Sequence, residues 1–262
     1  VPADWSPPQY LRFADERAQP FRDLVSGIGE VDPAVVVDLG CGTGELTASL
    51  AARWPGARVT GVDSSAAMLA ATAEHAVPGQ VTFEAADLTT WTPAGPVDVL
   101  VSNAALQWVP DHPRLVVEWA GALAPGGWLA FQVPGNHAAP THALLADLCR
   151  DPRWSDRAGA LAPTTDSVLD PAGCLGVLES AGLATRTWET TYLHVLTGPD
   201  AVLGWVRGSV LRPVLAALGD DAPGFEAEYA DALRTAYPPR PDGTTLLPFR
   251  RVFAVGQRGT SR

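Results

Sequence analysis

Short apolar runs and segments of helical period alternate along the first half of the chain. Val35–Asp38 is a β-branched run without alternation, the pattern of a strand buried on both faces. Glu45–Arg53 carries Leu46 and Leu50, with Trp54 following at the same four-residue spacing, which predicts a helix. Ala57–Asp63 predicts a second strand and Ser64–His75 a second helix opened by a serine. Val81–Ala85 and Val97–Ser102 predict two more strands. Asp111–Leu123 reads as a helix, with Asp111 as its cap, Pro113 in its first turn and Gly126-Gly127 as its stop. Trp128–Val133 predicts a fifth strand. Alternation of this kind predicts parallel strands joined by right-handed crossovers, with helices on both faces: an α/β, doubly wound sheet.

The rhythm then breaks. His142–Arg150, Ala172–Ala181, Asp200–Leu218 and Gly224–Tyr237 read as helical, Ala184–Leu196 as a strand and Arg251–Val255 as a last strand. The expected organisation is a single domain over residues 1–262, with a core at about 30–135. Residues 134–170 and 198–248 are expected as helical insertions over the carboxyl edge of the sheet. No internal repeat or linker divides the chain.

Composition narrows the chemistry. The 262 residues are 47% hydrophobic and 18% charged, a globular balance. A net charge of −11 argues against nucleic acid as a partner. All 18 basic residues are Arg, so no lysine can form a Schiff base or hold a phosphate in a P-loop. Three cysteines, Cys41, Cys149 and Cys174, show no paired spacing, which fits a reducing compartment. No apolar run is long enough to span a bilayer. The start, VPADWSPPQYLRF, does not read as a secretory signal. A cytoplasmic protein without a membrane partner is expected, and nothing in the linear order bears on oligomeric state.

The glycine turn Gly40-Cys41-Gly42-Thr43-Gly44 follows the first strand and opens a helix. Glycines there let a ligand approach the backbone. A dinucleotide fingerprint needs its third glycine one residue later, where Glu45 stands and would repel a pyrophosphate. Asp38, Asp63 and Asp87 stand at or just beyond the ends of the first three strands. Three acids in those places suit a ligand with a sulfonium, an ammonium, a ribose and an adenine, and suit a pyrophosphate badly.

The segments VVVDLGCGTGELT, VTGVDSSAAML, EAADL and VSNAALQWV resemble the successive motifs of class I S-adenosylmethionine-dependent methyltransferases. The resemblance implies a Rossmann-like methyltransferase fold, a mostly parallel seven-stranded sheet with one antiparallel strand, supplied by Arg251–Val255. It implies S-adenosyl-L-methionine as cofactor, with Asp38, Gly40, Cys41, Gly42 and Gly44 around its methionine end and Asp63 on its ribose. Asp87 and Leu88 would hold the adenine, with Ser64, Met68 and Asn103 also lining the site. A narrower resemblance, carried by DWSPPQYLRFADERAQP, NAALQWVPDH, APTH, TTYLHVL, LRPVL and LLPFRRVFAV, is to the trans-aconitate methyltransferases, which esterify one carboxylate of a small tricarboxylate. The chain departs from that family's pattern at Val210 and Arg250.

A carboxylate acceptor is already ionised at neutral pH, so no general base is expected. The task is to hold a small trianion, for which Arg suits best. Candidates for substrate binding are Tyr192, His194, Arg207, Arg212, Arg251 and His142, with Arg251 turned inward and Arg250 outward by strand alternation. Gln107 and Trp108, after the fourth strand, are expected to position the reactants. Trp5, Tyr10 and Arg17 could belong to a segment closing over the cofactor. A phenol or amine acceptor, and a non-catalytic cofactor binder, stay open as alternatives.

Overall fold

The computed structural model describes residues 14–164 and 168–260. Trp5 and Tyr10 lie outside the described residues, and Arg17 lies in the first helix. The chain divides into two compact units. The first comprises residues 1–134, 169–190 and 251–262, and the second 135–168 and 191–250.

The first unit opens with α1 (Ala14–Ser26), followed by β1 (Val35–Leu39), α2 (Glu45–Arg53), β2 (Arg58–Asp63), α3 (Ala66–Ala70) and β3 (Val81–Ala85). Next come β4 (Val97–Asn103), α4 (His112–Gly121) and β5 (Leu123–Pro134). In the second unit lie α5 (Pro140–Arg150) and α6 (Ser155–Ala158); α7 (Pro171–Ser180) returns to the first. The chain continues through β6 (Ala184–Thr197), α8 (Ala201–Arg207), α9 (Arg212–Leu218) and α10 (Ala222–Ala236) to β7 (Thr244–Gln257).

The sheet has seven strands in the order β3-β2-β1-β4-β5-β7-β6. β1 to β5 pair in parallel, and β7 runs antiparallel to β5. The order reverses between β1 and β4, and in open α/β sheets ligands bind outside the carboxyl ends of the strands at such a point. Val36, Leu39, Val59, Val62, Val99 and Val101 are all but inaccessible, as strands covered on both faces require.

Register decides which side chains share a face. Gly61 stands beside Asp38, Asp38 beside Val101, Asn103 beside Gln132, and Pro134 beside Arg251. Side chains alternate along each strand. Asp63, Asp38, Asn103, Gln132 and Arg251 therefore lie on one face of the sheet, near its carboxyl edge. The end of α1 covers the same face further down. A Cβ on Gly29 would stand 2.8 Å from the Trp128 ring, and one on Gly27 would meet Trp188 and Val255.

Several boundaries differ from the expectation. Gly126-Gly127 does not stop α4; the helix ends at Gly121, and both glycines lie inside β5. A Cβ on Gly127 would come 2.9–3.1 Å from the carbonyl oxygens of Ala124, Val97 and Asp98, so this pair allows β5 to pass close over the irregular start of β4. The helix expected over Ser64–His75 is α-helical only over Ala66–Ala70 and tightens to a 3₁₀ turn beyond. Ser65, not Ser64, caps it by accepting from the Met68 N–H. The helix expected over Asp200–Leu218 is two helices, α8 and α9. β7 begins at Thr244, seven residues before the apolar run that revealed it. The later part of the second unit runs over residues 191–250.

Candidate active site

A cleft of about 690 Å³, open to solvent, lies in the first unit at the switch point. Gly40 and Gly42 of the β1–α2 turn line it, with Asp63 and Ser64 after β2, Met68 of α3, and Asp87 and Leu88 after β3. Asn103, Ala104, Ala105, Trp108 and Val109, at and beyond the end of β4, complete it.

The three glycines of the turn do different work. A Cβ on Gly42 would meet nothing within 4 Å, so the backbone there is bare towards a ligand. A Cβ on Gly40 would stand 2.2 Å from that of Ala105, which locks the turn against the segment after β4. Gly44, at the start of α2, would clash with Phe83 at 2.7 Å; it allows helix and strand to pack and does not line the cleft. Cys41 is buried and also absent from the lining. Its Cβ packs where a Cβ on Gly61 would come within 2.9 Å. Burial first, then Asp38 and Asp63, push its thiol far above the ordinary range, so Cys41 is a small filler and no nucleophile.

The acids are also distinct. Asp63 accepts from the Gly42 N–H at 2.9 Å through Oδ2 and from the Ser65 N–H at 2.8 Å through Oδ1. It therefore shapes the turn as well as facing the cleft. Asp87 accepts from the Thr89 N–H and hydroxyl through Oδ1, which hold its carboxyl below the usual range. Its Oδ2 makes no hydrogen bond among the described residues and is available to a donor in the cleft. Asp38 is buried behind the lining, with Oδ2 accepting from the Thr47 hydroxyl at 2.6 Å. Burial raises its pKa from 3.8 to about 7, against the Thr47 hydrogen bond and with a smaller push from Asp63.

That shift has a defined sign. Below the unfolded value the Asp38 carboxyl is protonated in both states and contributes nothing. As pH rises towards 7, the unfolded chain ionises while the folded one resists, so stability is lost, by roughly 4 kcal/mol in full. Asp38→Asn removes this loss. The stability difference between wild type and Asp38→Asn, from denaturant unfolding without ligand, is expected to swing towards the variant between about pH 4 and pH 7 and to level off above.

Around the end of β4 the backbone is strained. Ala104 has φ +53°, a left-handed conformation for a residue with a Cβ. Its N–H donates to the Gln132 carbonyl at 2.8 Å, and its carbonyl accepts from Gln107 Nε2 at 2.5 Å. Gln107 thus braces the segment, while Trp108 faces the cleft.

The expected substrate residues are divided between the two units. Arg251 belongs to the first unit, with 4% of its surface exposed, and its Nη1 donates to Gln132 Oε1 at 2.9 Å. Arg250 belongs to the second and is half-buried, with Nη1 on the Gly135 carbonyl. The remaining candidates are in the second unit. Both guanidinium arms of Arg207 hold Glu226, which raises its pKa further and leaves this fork occupied. Arg212, the first residue of α9, is exposed, and its side chain makes no hydrogen bond or ion pair among the described residues. His142 takes Thr141 Oγ1 at Nδ1, and burial beside His137 lowers its pKa to about 4. It is a neutral ring at pH 7, not the cation an anion would call for. His194 is buried in an aromatic stack, 4.7 Å from the Trp205 ring centre and 6.4 Å from that of Tyr192.

Sequence reasoning missed Ala104, Ala105 and Val109, which carry no chemical signature, and Gln132. The last had a signal: an amide in the middle of the apolar run Trp128–Val133.

A cleft at the switch point with two carboxylates, a bare glycine turn and no basic side chain among the described residues of its lining fits a positively charged adenosyl ligand and not a pyrophosphate. Fold and site together are those of a class I S-adenosylmethionine-dependent methyltransferase. Residues 36–127 match the model of a methyltransferase domain family. The trans-aconitate 2-methyltransferase of Streptomyces avermitilis is 52% identical over 97% of this chain and 97% of its own length. That of Streptomyces coelicolor is 50% identical over 97% of this chain and 86% of its own. Among solved structures, a methyltransferase from Thiobacillus denitrificans in complex with S-adenosylhomocysteine matches with a TM-score of 0.56 at 20% identity, over 97% of this chain and all of that one. The chain belongs to the trans-aconitate 2-methyltransferase family.

Proposed function

We propose that this protein transfers a methyl group from S-adenosylmethionine to one carboxylate of trans-aconitate, giving a monomethyl ester. The observation that carries the reading is the buried guanidinium of Arg251, on the same sheet face as the acidic residues beside the cleft. Family membership supports the choice of acceptor. When bound, S-adenosylmethionine supplies a methyl carbon already activated by its positive sulfur.

The chain's own part is to bind and to exclude water. Gly40, Gly42 and Asp63 would hold the methionine and ribose portions, and Asp87, Leu88 and Met68 the adenine. Asp38, beneath the turn, favours a cationic ligand whenever it is ionised. Arg251 would neutralise an acceptor carboxylate and fix its direction; a guanidinium matches the two oxygens of that group and carries its charge at any working pH. No residue has to remove a proton, since the attacking oxygen carries none, and most of the barrier reduction comes from alignment. The protein would act on a free small molecule.

The test is methyl transfer from labelled cofactor to trans-aconitate, run beside a panel of phenols and amines. Label in a base-labile ester of trans-aconitate is expected. Label on a phenol or amine only, or in no acceptor, contradicts the proposal.

A further inference from the structure

Gln132 is an unusual residue for its place. It is fully buried in the apolar strand β5, on the sheet face that also carries Asp38, Asn103 and Arg251. Three of its polar atoms have separate fates. The backbone carbonyl accepts from Ala104, a residue of the cofactor cleft. The side-chain oxygen Oε1 accepts from Arg251 Nη1 at 2.9 Å. The side-chain nitrogen Nε2 is buried and has no hydrogen-bond partner among the described residues. The Arg251 contact fixes which way round the amide lies, because a guanidinium only donates. The other end of the amide is thereby the NH₂ group, which carries two N–H donors. A buried donor left unmet costs on the order of 1–3 kcal/mol, so such a group calls for a ligand.

Its neighbour across β4 is complementary. Asn103 stands in register with Gln132, lines the cleft, and has a buried Oδ1 that also lacks a partner among the described residues. From β2 to β7 one sheet face thus runs carboxylate, carboxylate, amide with an unmet acceptor, amide with an unmet donor, guanidinium. The order is a gradient from sites that favour a cation to sites that favour an anion.

We infer that Gln132 Nε2 and the Arg251 guanidinium together form the cradle for the acceptor's reacting carboxylate, with Gln132 Oε1 holding Arg251 in place. This rests on the methyl transfer to a carboxylate proposed above. Two donors on one side of the carboxylate leave a lone pair directed towards the Asn103 side, where the cationic donor belongs. Gln132 therefore selects an anionic acceptor and aims it. A phenol or amine acceptor has no second oxygen to engage it.

The experiment uses the full-length protein and two variants, Gln132→Glu and Gln132→Met, with wild type in parallel. Three quantities are read for each: kcat and KM for trans-aconitate, Kd for S-adenosylhomocysteine by calorimetry, and the thermal transition. Gln132→Met removes both polar roles and should raise KM about 10-fold. Gln132→Glu keeps the shape but occupies Arg251 and puts a negative charge at the cradle, so KM should rise about 100-fold or more. Affinity for S-adenosylhomocysteine should stay within about 2-fold in both. A purely structural amide would make Glu the milder change, and would shift cofactor affinity and KM together through Ala104. That pattern, unchanged KM in both variants, or loss of the folded transition in both, overturns the assignment. Wild type that esterifies no carboxylate while binding S-adenosylhomocysteine overturns instead the function on which it rests, and the cradle with it.

Discussion

Arg251→Met is expected to lower kcat/KM for trans-aconitate by about 10³-fold, on the order of 4 kcal/mol, while leaving affinity for S-adenosylhomocysteine within about 2-fold. The effect is large because Arg251 is buried, with 4% of its surface exposed. An anion bound there has lost its water, and the guanidinium is then the main source of compensation. The folded state should lose on the order of 1–3 kcal/mol, since Met leaves the buried Gln132 Oε1 without its donor. Arg251→Lys keeps the charge but not the planar fork, and is expected to fall between wild type and Met. Steady-state kinetics at saturating cofactor, with calorimetric titration of S-adenosylhomocysteine, reads both halves. An equal loss of cofactor affinity would mean that Arg251 supports the fold of the cleft and not the acceptor.

The second large effect is expected at the glycine turn. Gly40→Ala places a methyl 2.2 Å from the Cβ of Ala105, in a backbone conformation of φ +77°. Neither neighbour can yield by a rotamer change, because the opposing atom is itself a Cβ next to the strained Ala104. Overlap and backbone strain together should cost roughly 2–5 kcal/mol. Since a chain of this size loses about 2–4 °C per kcal/mol, the melting temperature should fall by about 10 °C. The displaced atoms line the cleft, so affinity for S-adenosylhomocysteine should fall by about 100-fold, where Arg251→Met spares it. The opposite dissociation of effects in these two variants separates the cofactor end of the sheet face from the acceptor end.

The lining of the cleft was largely legible in the amino-acid sequence, for a physical reason. Gly40, Gly42, Asp63 and Asp87 sit at the ends of short apolar strands, and strand ends at a parallel sheet's carboxyl edge converge whatever the loops do. Asp38 and Gly44 belong to the same motif but serve from behind, as a buried charge and a packing contact. The surroundings of Arg251 were less legible because they depend on pairing between distant segments. Arg251 and Gln132 meet across 119 residues, through the antiparallel register of β5 and β7. Arg207 looked available until Glu226, nineteen residues on, closed its fork. His142 and His194 stand in the family-like segments APTH and TTYLHVL, and their surroundings make one a neutral ring and the other part of an aromatic stack. The longer reach of β7 was hidden by Pro248 and by polar residues at its start.

The order of charge along one face of the sheet, acids towards β2 and a guanidinium on β7, is the claim on which the rest depends. A crystal structure of the complex with S-adenosylhomocysteine and trans-aconitate tests it most directly. The account predicts the homocysteine portion over the turn at Gly42, the ribose at Asp63, and a carboxylate of trans-aconitate on Arg251 and Gln132 with one oxygen facing the sulfur. Trans-aconitate seated away from Arg251, or a cofactor whose sulfur faces away from the β5–β7 side, would contradict it.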